Sequence, residues 1–395
     1  MANRNPLLWL STLALLCSAF LFQSCVRDRC NMEYTYARYT PVYLSSTEFV
    51  SAVEVQPARA MVNPGKIFLK DQYLFINEVA KGIHIFDNQN PESPQALAFL
   101  NVPGNYEIAF NCDKLYLDSS KDLLVFDMKD PAQPQLIYRL PNALPHITQY
   151  QGYNADPNKG VVVEWVREVV TEPYNCETGI PAVWEVNAVD PAEAQSATNT
   201  TRSINPATPG KAGSMSRMAS LGDHLYVILA DQMRIFDVAN CSDPSMVGEQ
   251  PLAVGEAEMV STLNNYLLVG GTAGVSFYDA SIPTQPEFLS RFDHMQACDP
   301  VVAQGDYAYI TLRDGREIRC GNNFTNQLDI VNISEIRSPR LMQSVMLHNP
   351  HGLGVDGDLL FVADAAEGIK IFDISQPDQV RGQQISHLKG VDGFD

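Results

Sequence analysis

The sequence predicts an all-β protein, a β-propeller built from four-stranded antiparallel blades. Three observations predict this fold class. A short apolar segment that ends in Asp or Asn recurs along the chain, its copies lie 40 residues or more apart, and a Pro follows every copy. About 40 residues is the usual length of one four-stranded propeller blade, so each copy indicates one blade.

The recurring segment, called the marker below, is the expected third strand of each blade. The last residues of successive markers are 40, 60, 50, 42, 53 and 41 positions apart. Pro has a fixed φ and cannot donate a backbone hydrogen bond, so the following Pro predicts a turn into a fourth strand. We therefore expect one seven-bladed β-propeller over residues 64–395. The markers are residues 82–87, 122–127, 183–187, 232–237, 274–279, 328–332 and 368–373, and the prolines are Pro91, Pro131, Pro191, Pro244, Pro283, Pro339 and Pro377.

The markers, together with Pro350-His-Gly-Leu-Gly near the C-terminus, resemble the LVIVD-repeat family of β-propeller proteins. Members of this family are common as lipoproteins in the Bacteroidetes. The resemblance extends over essentially the whole mature chain, and it implies the propeller fold and a place in the cell envelope, but no settled activity. Asn187 and Asn332 stand where most markers have Asp, so the third and sixth repeats depart most from the pattern.

The N-terminus is predicted to be a lipoprotein signal peptide over residues 1–24. Arg4 precedes an apolar run over residues 7–22, which is too short for a convincing membrane span and ends close to Ser24 and Cys25. Cys25 is the candidate lipidation site, and an ordinary secretory signal is the alternative. Residues 25–63 are expected to be a tether with some strand character at 40–44 and 49–55. This predicts lipid anchoring in the cell envelope, on the periplasmic or the surface side of the outer membrane.

The composition is that of a globular protein with an acidic surface. Hydrophobic residues make up 45% of the chain and the formal net charge is −19. Because nucleic-acid binding depends on neutralising phosphates with Lys and Arg, this charge argues against a nucleic-acid partner. The expected partners are the membrane, through the lipid anchor, and an unknown protein or glycan.

Six cysteines follow Cys25 in a compartment that permits disulfides, and no CxxC pair points to zinc or redox chemistry. We predict a disulfide between Cys298, which opens the first strand of the sixth repeat, and Cys320, which lies in an insertion of that repeat. Two free thiols, or a pairing of either residue with Cys176, remain alternatives. The sequence leaves the pairing of four other cysteines open: Cys30, Cys112, Cys176 and Cys241.

The long insertions are expected to gather on one face of the propeller. With the strands of a blade named A to D from the axis outward, residues 171–181 and 314–325 are consistent with B–C loops and residues 192–213 with a D–A connection. Neighbouring strands are antiparallel, so B–C loops and D–A connections lie at the same end, where strand A begins. Insertions gathered on one face of a repeat protein often mark its binding side.

A set of polar residues at the expected starts of strand A forms the candidate ligand-binding site at the mouth of the channel. Its cations and anions could hold a polar ligand by charge-assisted hydrogen bonds, and its two histidines are the only plausible acid/base residues among them. The alternative is that they are simply the polar lining of a water-filled channel. The residues are Lys66, Glu107, His146, Arg217, Glu258, Asp299 and His351.

No catalytic, cofactor or metal motif is predicted. Residues 352–357 match GxGxxG, but a dinucleotide site needs a helix after that turn, and here strands flank it. His348 and His351 could not form a helical metal-binding pair, because Pro350 lies between them and no third ligand is evident. The chain has no GxSxG, P-loop or HExxH sequence.

Two functions are consistent with these observations. The first is a lipid-anchored, non-catalytic binding or scaffold module. The second is an extracytoplasmic propeller enzyme that acts on a carbohydrate or another polar small molecule at the channel mouth. A metal or tightly clustered carboxylates at the mouth would favour the enzyme, and a flat apolar patch on the insertion-bearing face would favour a protein partner.

Overall fold

The structure, a computed structural model, describes residues 33–173, 216–253, 257–294, 300–313 and 326–390. The described residues divide into two compact units. The smaller unit contains residues 33–38 and 167–173, and the larger contains the remaining described residues. Among the described residues, no helix has the length and apolar character needed to cross a membrane. The predicted signal peptide and Cys25 lie outside this part of the chain.

The described residues of the smaller unit belong to two paired strands, β1 (Glu33–Leu44) and β13 (Val161–Pro173). They are the N-terminal part of β1 and the C-terminal part of β13. Two side-chain contacts join them there. The hydroxyls of Thr35 and Thr171 are hydrogen-bonded at 2.9 Å, and Nη2 of Arg38 donates to Oε2 of Glu168 at 2.9 Å. Cross-strand pairs of this kind stabilise one register of a two-stranded sheet.

The larger unit is a β-propeller whose described residues form six four-stranded antiparallel blades. Strands A to D of each blade follow one another in the chain, as predicted. Blade 1 comprises β3 (Pro64–Lys70), β4 (Tyr73–Glu78), β5 (Gly82–Asp87) and β6 (Gln95–Asn101); blade 2, β7 (Ile108–Asn111), β8 (Lys114–Ser119), β9 (Asp122–Asp127) and β10 (Gln135–Leu140); blade 3, β14 (Met218–Leu221), β15 (His224–Ile228), β16 (Gln232–Asp237) and β17 (Ser245–Pro251). Blade 4 comprises β18 (Ala257–Leu263), β19 (Tyr266–Gly271), β20 (Gly274–Asp279) and β21 (Glu287–Asp293); blade 5, β22 (Val301–Gln304), β23 (Tyr307–Leu312), β24 (Gln327–Asn332) and β25 (Arg340–Met346); blade 6, β26 (Leu353–Asp356), β27 (Leu359–Ala363), β28 (Ile369–Asp373) and β29 (Gln384–Leu388).

The prediction of seven blades is wrong, because the third repeat does not form a blade between its neighbours. Its described part contains a short hairpin, β11 (Gln149–Tyr150) with β12 (Tyr153–Asn154), and then β13, which pairs with β1 near the N-terminus. Blades 2 and 3 pack directly on each other, since Tyr116 and Leu123 share a buried cluster with Leu225 and Phe236. The marker of this repeat, residues 183–187, lies outside the described residues.

The Asp or Asn that ends each marker forms the same turn in all six described blades. Its side-chain oxygen accepts a hydrogen bond from the backbone N–H two residues later, an Asx turn that stops strand C. Asn332 makes this bond to the N–H of Ser334 at 3.0 Å, so the Asn of the sixth repeat serves as well as Asp. The other five are Asp87 to Gln89, Asp127 to Lys129, Asp237 to Ala239, Asp279 to Ser281 and Asp373 to Ser375.

Part of the predicted tether belongs to the larger unit. Residues 49–55, expected to be extended, begin instead within the helix α1 (Ser46–Ser51). A capping box explains the helix, because Oγ of Ser45 accepts from the N–H of Glu48 and the Glu48 carboxylate accepts from the N–H of Ser45. Phe49 is buried against Val161 and Val163. The following strand β2 (Glu54–Pro57) pairs with β6 and adds a fifth strand to blade 1.

A disulfide joins blades 2 and 3. Cys112, in the A–B turn of blade 2, is bonded to Cys241, in the C–D loop of blade 3, with 6.5 Å between their Cα atoms. Beside it the hydroxyl of Tyr116 donates to the carbonyl of Cys241 at 2.7 Å. The predicted pair, Cys298 and Cys320, lies outside the described residues. The insertion that contains Cys320 lies between β23 and β24, which makes it a B–C connection as expected.

Candidate functional site

Five of the seven predicted site residues lie at the start of a strand A, at one end of the propeller. Lys66 and Glu258 are among the first three residues of β3 and β18. Glu107 and Arg217 directly precede β7 and β14, and His351 lies two residues before β26. The alternating direction of strands within a blade places all these starts on the same face. Asp299 lies outside the described residues.

An ion pair and two hydrogen bonds connect four of these residues, one from each of blades 1 to 4. Oε2 of Glu107 forms an ion pair with Nζ of Lys66 and accepts a hydrogen bond from the backbone N–H of Arg217 at 2.8 Å. Nε of Arg217 donates to the carbonyl of Glu258 at 3.4 Å. Lys66 is only 4% exposed and Glu107 only 8%, whereas Arg217 and Glu258 are half-buried. The ion pair is therefore part of the blade 1–blade 2 packing, and Arg217 and Glu258 are the more accessible members.

Beneath Glu107 lies a buried carboxylate that the sequence reasoning did not select, Asp118 at the end of β8. Its Oδ1 accepts from the backbone N–H groups of Tyr106 and Glu107 and from Nδ2 of Asn105, each at 2.8 Å. Asn105 in turn accepts from Nδ2 of Asn77 in blade 1 at 2.7 Å. Asp118 thus fixes the chain that enters strand A of its own blade.

Burial of Asp118, with the nearby charge of Glu107, raises the pKa of the Asp118 carboxyl to about 7. The hydrogen bonds from the Glu107 and Tyr106 amides and the charge of Lys66 oppose that rise. One signal in the sequence could have found this residue: Asp118 is the one charged side chain that follows the apolar run of β8, where a buried strand should have none.

His351 is held by contacts to blades 5 and 6. Its imidazole contacts the guanidinium of Arg313 through Nδ1, its carbonyl accepts from Oγ1 of Thr311 at 2.7 Å, and its N–H donates to the carbonyl of Ala363 at 2.7 Å. The residue is buried. It therefore orders the entry to β26.

Asp364 in blade 6, like Asp118 in blade 2, binds backbone amides of the segment that leads into strand A. Its Oδ1 accepts from the backbone N–H groups of His348 and Asn349 at 3.0 and 2.7 Å, and its other oxygen pairs with Nζ of Lys370. A buried carboxylate bound to two amides before strand A is thus a repeated device of this propeller.

His146 does not precede a strand A, because the third repeat forms no blade in the described residues. Its Nε2 accepts from the backbone N–H of Val162 in β13 at 3.0 Å. Burial, and secondarily the charge of Lys121, lower the pKa of this imidazole. Oγ of Ser120 in the B–C turn of blade 2 donates to the carbonyl of Val162 at 2.7 Å, so His146 lies near the same end of blade 2.

Within the described part of the chain, no group of three or more His, Cys, Asp or Glu side chains could hold a metal ion. Two of the buried carboxylates, Asp118 and Glu107, are both bound by backbone amides. Amides that donate to a carboxylate stabilise its charged form and orient it. The two groups therefore position the segments that enter strand A of blades 2 and 3.

Comparison with protein families identifies the repeats. The family model described as LVIVD repeat matches residues 212–250, 322–347 and 351–380. The chain contains LVIVD repeats. The first match covers nearly all of blade 3, the second covers strands C and D of blade 5, and the third covers strands A to C of blade 6. Arg217, His351 and Asp364 therefore lie inside LVIVD repeats.

Several solved structures resemble the chain. The structure of apo AztD from Citrobacter koseri is 13% identical over 92% of this chain and 97% of that one, with a TM-score of 0.52. Saccharomyces cerevisiae Sqt1 is 11% identical over 90% and 88%, with a TM-score of 0.46. A putative 6-phosphogluconolactonase from Bacteroides uniformis is 11% identical over 80% and 83%, with a TM-score of 0.49. The likeness to AztD concerns the fold alone. No curated protein matches the sequence.

Proposed function

We propose that this LVIVD-repeat propeller is a lipid-anchored, extracytoplasmic binding or scaffold module whose protein or glycan ligand binds at the end where strands A begin. The observation that carries the proposal is the chain of contacts from Lys66 through Glu107 and Arg217 to Glu258, which spans four blades. These contacts fix the strand A starts and the side chains of Lys66, Glu107 and Arg217 before a ligand arrives, which lowers the ordering entropy that opposes binding.

The four residues of this contact series differ in solvent exposure, and the more exposed ones are expected to meet the ligand. Lys66 and Glu107 are buried and neutralise each other, so they support the site from below. Arg217 and Glu258 are half-buried, although Oε2 of Glu258 is itself buried, and they contribute one positive and one negative side chain near the surface. Such a pair suits a polar, hydrogen-bonding ligand rather than a strongly charged one.

A carbohydrate-processing enzyme is the second candidate, and Asp118 is the observation that favours it. A carboxyl group whose pKa is about 7 can exchange a proton near neutral pH, as a general acid or base must. The three donors on its Oδ1 argue that it serves instead to hold residues 105–107 in place. A binding function is therefore preferred.

The test compares ligand binding by four forms of the mature protein: wild type, Arg217→Ala, Glu258→Ala and Arg291→Ala. Arg291 is the matched control, because it forms an exposed ion pair with Asp293 on the outer strand of blade 4. On a glycan array and against envelope proteins, ligands of the wild type should bind the first two variants at least about tenfold more weakly, and the control unchanged. Ligands that bind all four forms equally would contradict the proposed site.

The enzyme candidate is examined with the same proteins and a panel of chromogenic glycosides. Hydrolysis by the wild type that is lost in Asp118→Asn, with folding retained, would establish catalysis. Absence of turnover together with binding that depends on Arg217 would establish the binding module.

A further inference from the structure

Strand D of every described blade contains a β-bulge, and the extra residue is apolar each time. The register between strands C and D shifts by one residue in all six blades. A bulge sets two consecutive residues against one on the partner strand and re-aims their side chains. It thereby places apolar groups on the outer rim of the propeller. The extra residues are Leu97, Ile137, Val247, Leu289, Met342 and Ile385.

Blades 3 and 4 combine their rim residues into one exposed apolar area. We define the rim patch as Met246 and Val247 of β17, Ile282 of the next C–D loop and Phe288 of β21; they are 53%, 41%, 64% and 43% exposed. Four large apolar side chains with this exposure, carried by the outer strands and the C–D loop of two neighbouring blades, point to an interaction surface.

Contacts between the two blades hold the rim patch together. The C–D loop of blade 4 packs on blade 3: Nε2 of Gln250 donates to the carbonyl of Pro286 at 3.0 Å, and the hydroxyl of Tyr226 donates to the carbonyl of Pro283 at 3.1 Å. At Gly248 a Cβ would lie 3.0 Å from the carbonyl oxygen of Thr284. The loop carrying Ile282 is therefore fixed against the strand carrying Met246 and Val247.

Blade 1 shows what can cover such a rim. There the chain's own β2 pairs with β6 along the outer edge, opposite residues 98–101, and Leu97 is partly buried. The outer edges of β17 and β21 have no such fifth strand among the described residues. Blade 1 thus shows that an extended segment can pair with the outer edge of a strand D in this fold.

The charges around the rim patch select the kind of partner. Residues 237–251 and 279–288 contain five acidic residues and no Lys, Arg or His. Two of the five are paired with arginines of neighbouring strands: Glu249 with Arg234, and Glu287 with Arg337. The area remains acidic and would repel an anionic lipid surface, while it attracts cations. The acidic residues are Asp237, Asp243, Glu249, Asp279 and Glu287.

We propose that the rim patch docks a basic segment of another protein, one that carries apolar side chains between its lysines and arginines. The apolar side chains would cover the four patch residues, and the basic ones would lie over the surrounding carboxylates. C–D loops lie at the end of the blades opposite the starts of strand A, so this surface is separate from the ligand site proposed above.

The test measures binding of a labelled synthetic peptide of lysine and leucine to the intact mature protein by fluorescence anisotropy, with a glutamate–leucine peptide for comparison. The double variant Ile282→Ser, Phe288→Ser should bind the basic peptide about tenfold more weakly, the loss expected from removing two partly buried apolar contacts. The matched control is Leu136→Ser with Ile137→Ser. That pair is an exposed bulge pair in blade 2, where residues 127–140 contain two acidic and two basic residues.

The control variant and Arg217→Ala should both bind the basic peptide as the wild type does, which keeps this result independent of the channel mouth. Any of the following outcomes would overturn the proposal: no binding of the basic peptide by the wild type, equal binding of the acidic peptide, an equal loss in both double variants, or attachment to anionic vesicles that the patch variant abolishes. Dimerisation of the wild type that the patch variant removes would also overturn it, since the patch would then bind a second copy.

Discussion

At the scale of single residues, Asp118 shows how burial and hydrogen bonding oppose each other in one carboxyl group. Desolvation favours its neutral form, while the amides of Tyr106 and Glu107 favour its charged form. The net result is a pKa of about 7 in the folded protein, against an ordinary value of 3.8. The group therefore binds a proton more tightly in the folded state than in the unfolded one.

The raised pKa of Asp118 makes the folded state lose stability as the pH rises. A raised folded-state pKa contributes stability that is complete below the unfolded pKa and is lost as the pH rises through the folded pKa. For Asp118 this loss extends from about pH 4 to about pH 7. We expect Asp118→Asn, which keeps an acceptor oxygen, to flatten the decline of the free energy of unfolding over this range. Urea unfolding of both proteins at several pH values measures it.

Asp279→Asn is the control with the opposite sign. Hydrogen bonds from Ser281 lower the pKa of the Asp279 carboxyl, so its contribution is lost as the pH falls. The substitution should change stability only in acid. If Asp118→Asn and the wild type lose stability in parallel between about pH 4 and pH 7, the assignment to Asp118 is wrong.

At the scale of the elements, the Asx turn after strand C defines the blade. It occurs in all six described blades and also explains why a marker can end in Asn. We expect Asn332→Ala to lower the free energy of unfolding by about 1 kcal/mol, because the Ser334 N–H loses its partner. Asn332→Asp should leave stability nearly unchanged. Denaturant unfolding of the three proteins gives the comparison, and equal losses in Ala and Asp variants would remove the turn as the cause.

At the scale of the whole molecule, the disulfide between Cys112 and Cys241 closes a long loop of the chain. This loop contains the segment that connects blade 2 to blade 3. The two residues are 129 positions apart in the chain. In the chain-entropy model, cross-linking so long a loop stabilises the folded state by about 4–5 kcal/mol. Cys112→Ser should reduce the free energy of unfolding by up to this amount under oxidising conditions. Under reducing conditions the variant and the wild type should be equally stable, and a difference that persists there would have another source.

Attachment to the membrane is the other property of the whole molecule that can be tested. Cys25 follows Ser24 and an apolar run, the arrangement expected of a lipoprotein signal. Replacing Cys25 with Ala should move the protein from the membrane fraction to the soluble fraction and from the detergent phase to the aqueous phase on partitioning. Cys30→Ala serves as the control and should leave the distribution unchanged. A membrane-bound Cys25→Ala protein would exclude lipidation at this residue.

Most of the fold could be predicted from the sequence, because its signals are local. Six of the seven markers are third strands ended by an Asx turn, and a turn of this kind depends on residues only two positions apart. The candidate site could be predicted in part. The starts of strand A follow from the repeat register, but the burial of Lys66 against Glu107 depends on how closely two blades approach.

The sequence by itself determined the strand order within each blade, the turn chemistry and the positions of Lys66, Glu107, Arg217, Glu258 and His351 at one end of the propeller. Only the tertiary structure decided the number of blades, the pairing of Cys112 with Cys241, the burial of Asp118 and the contact of His146 with β13. The reason is physical: a repeat period reports local strand length, whereas the choice of neighbour is made by packing. Here β13 pairs with β1, more than a hundred residues away in the chain, and Tyr116 packs directly on blade 3.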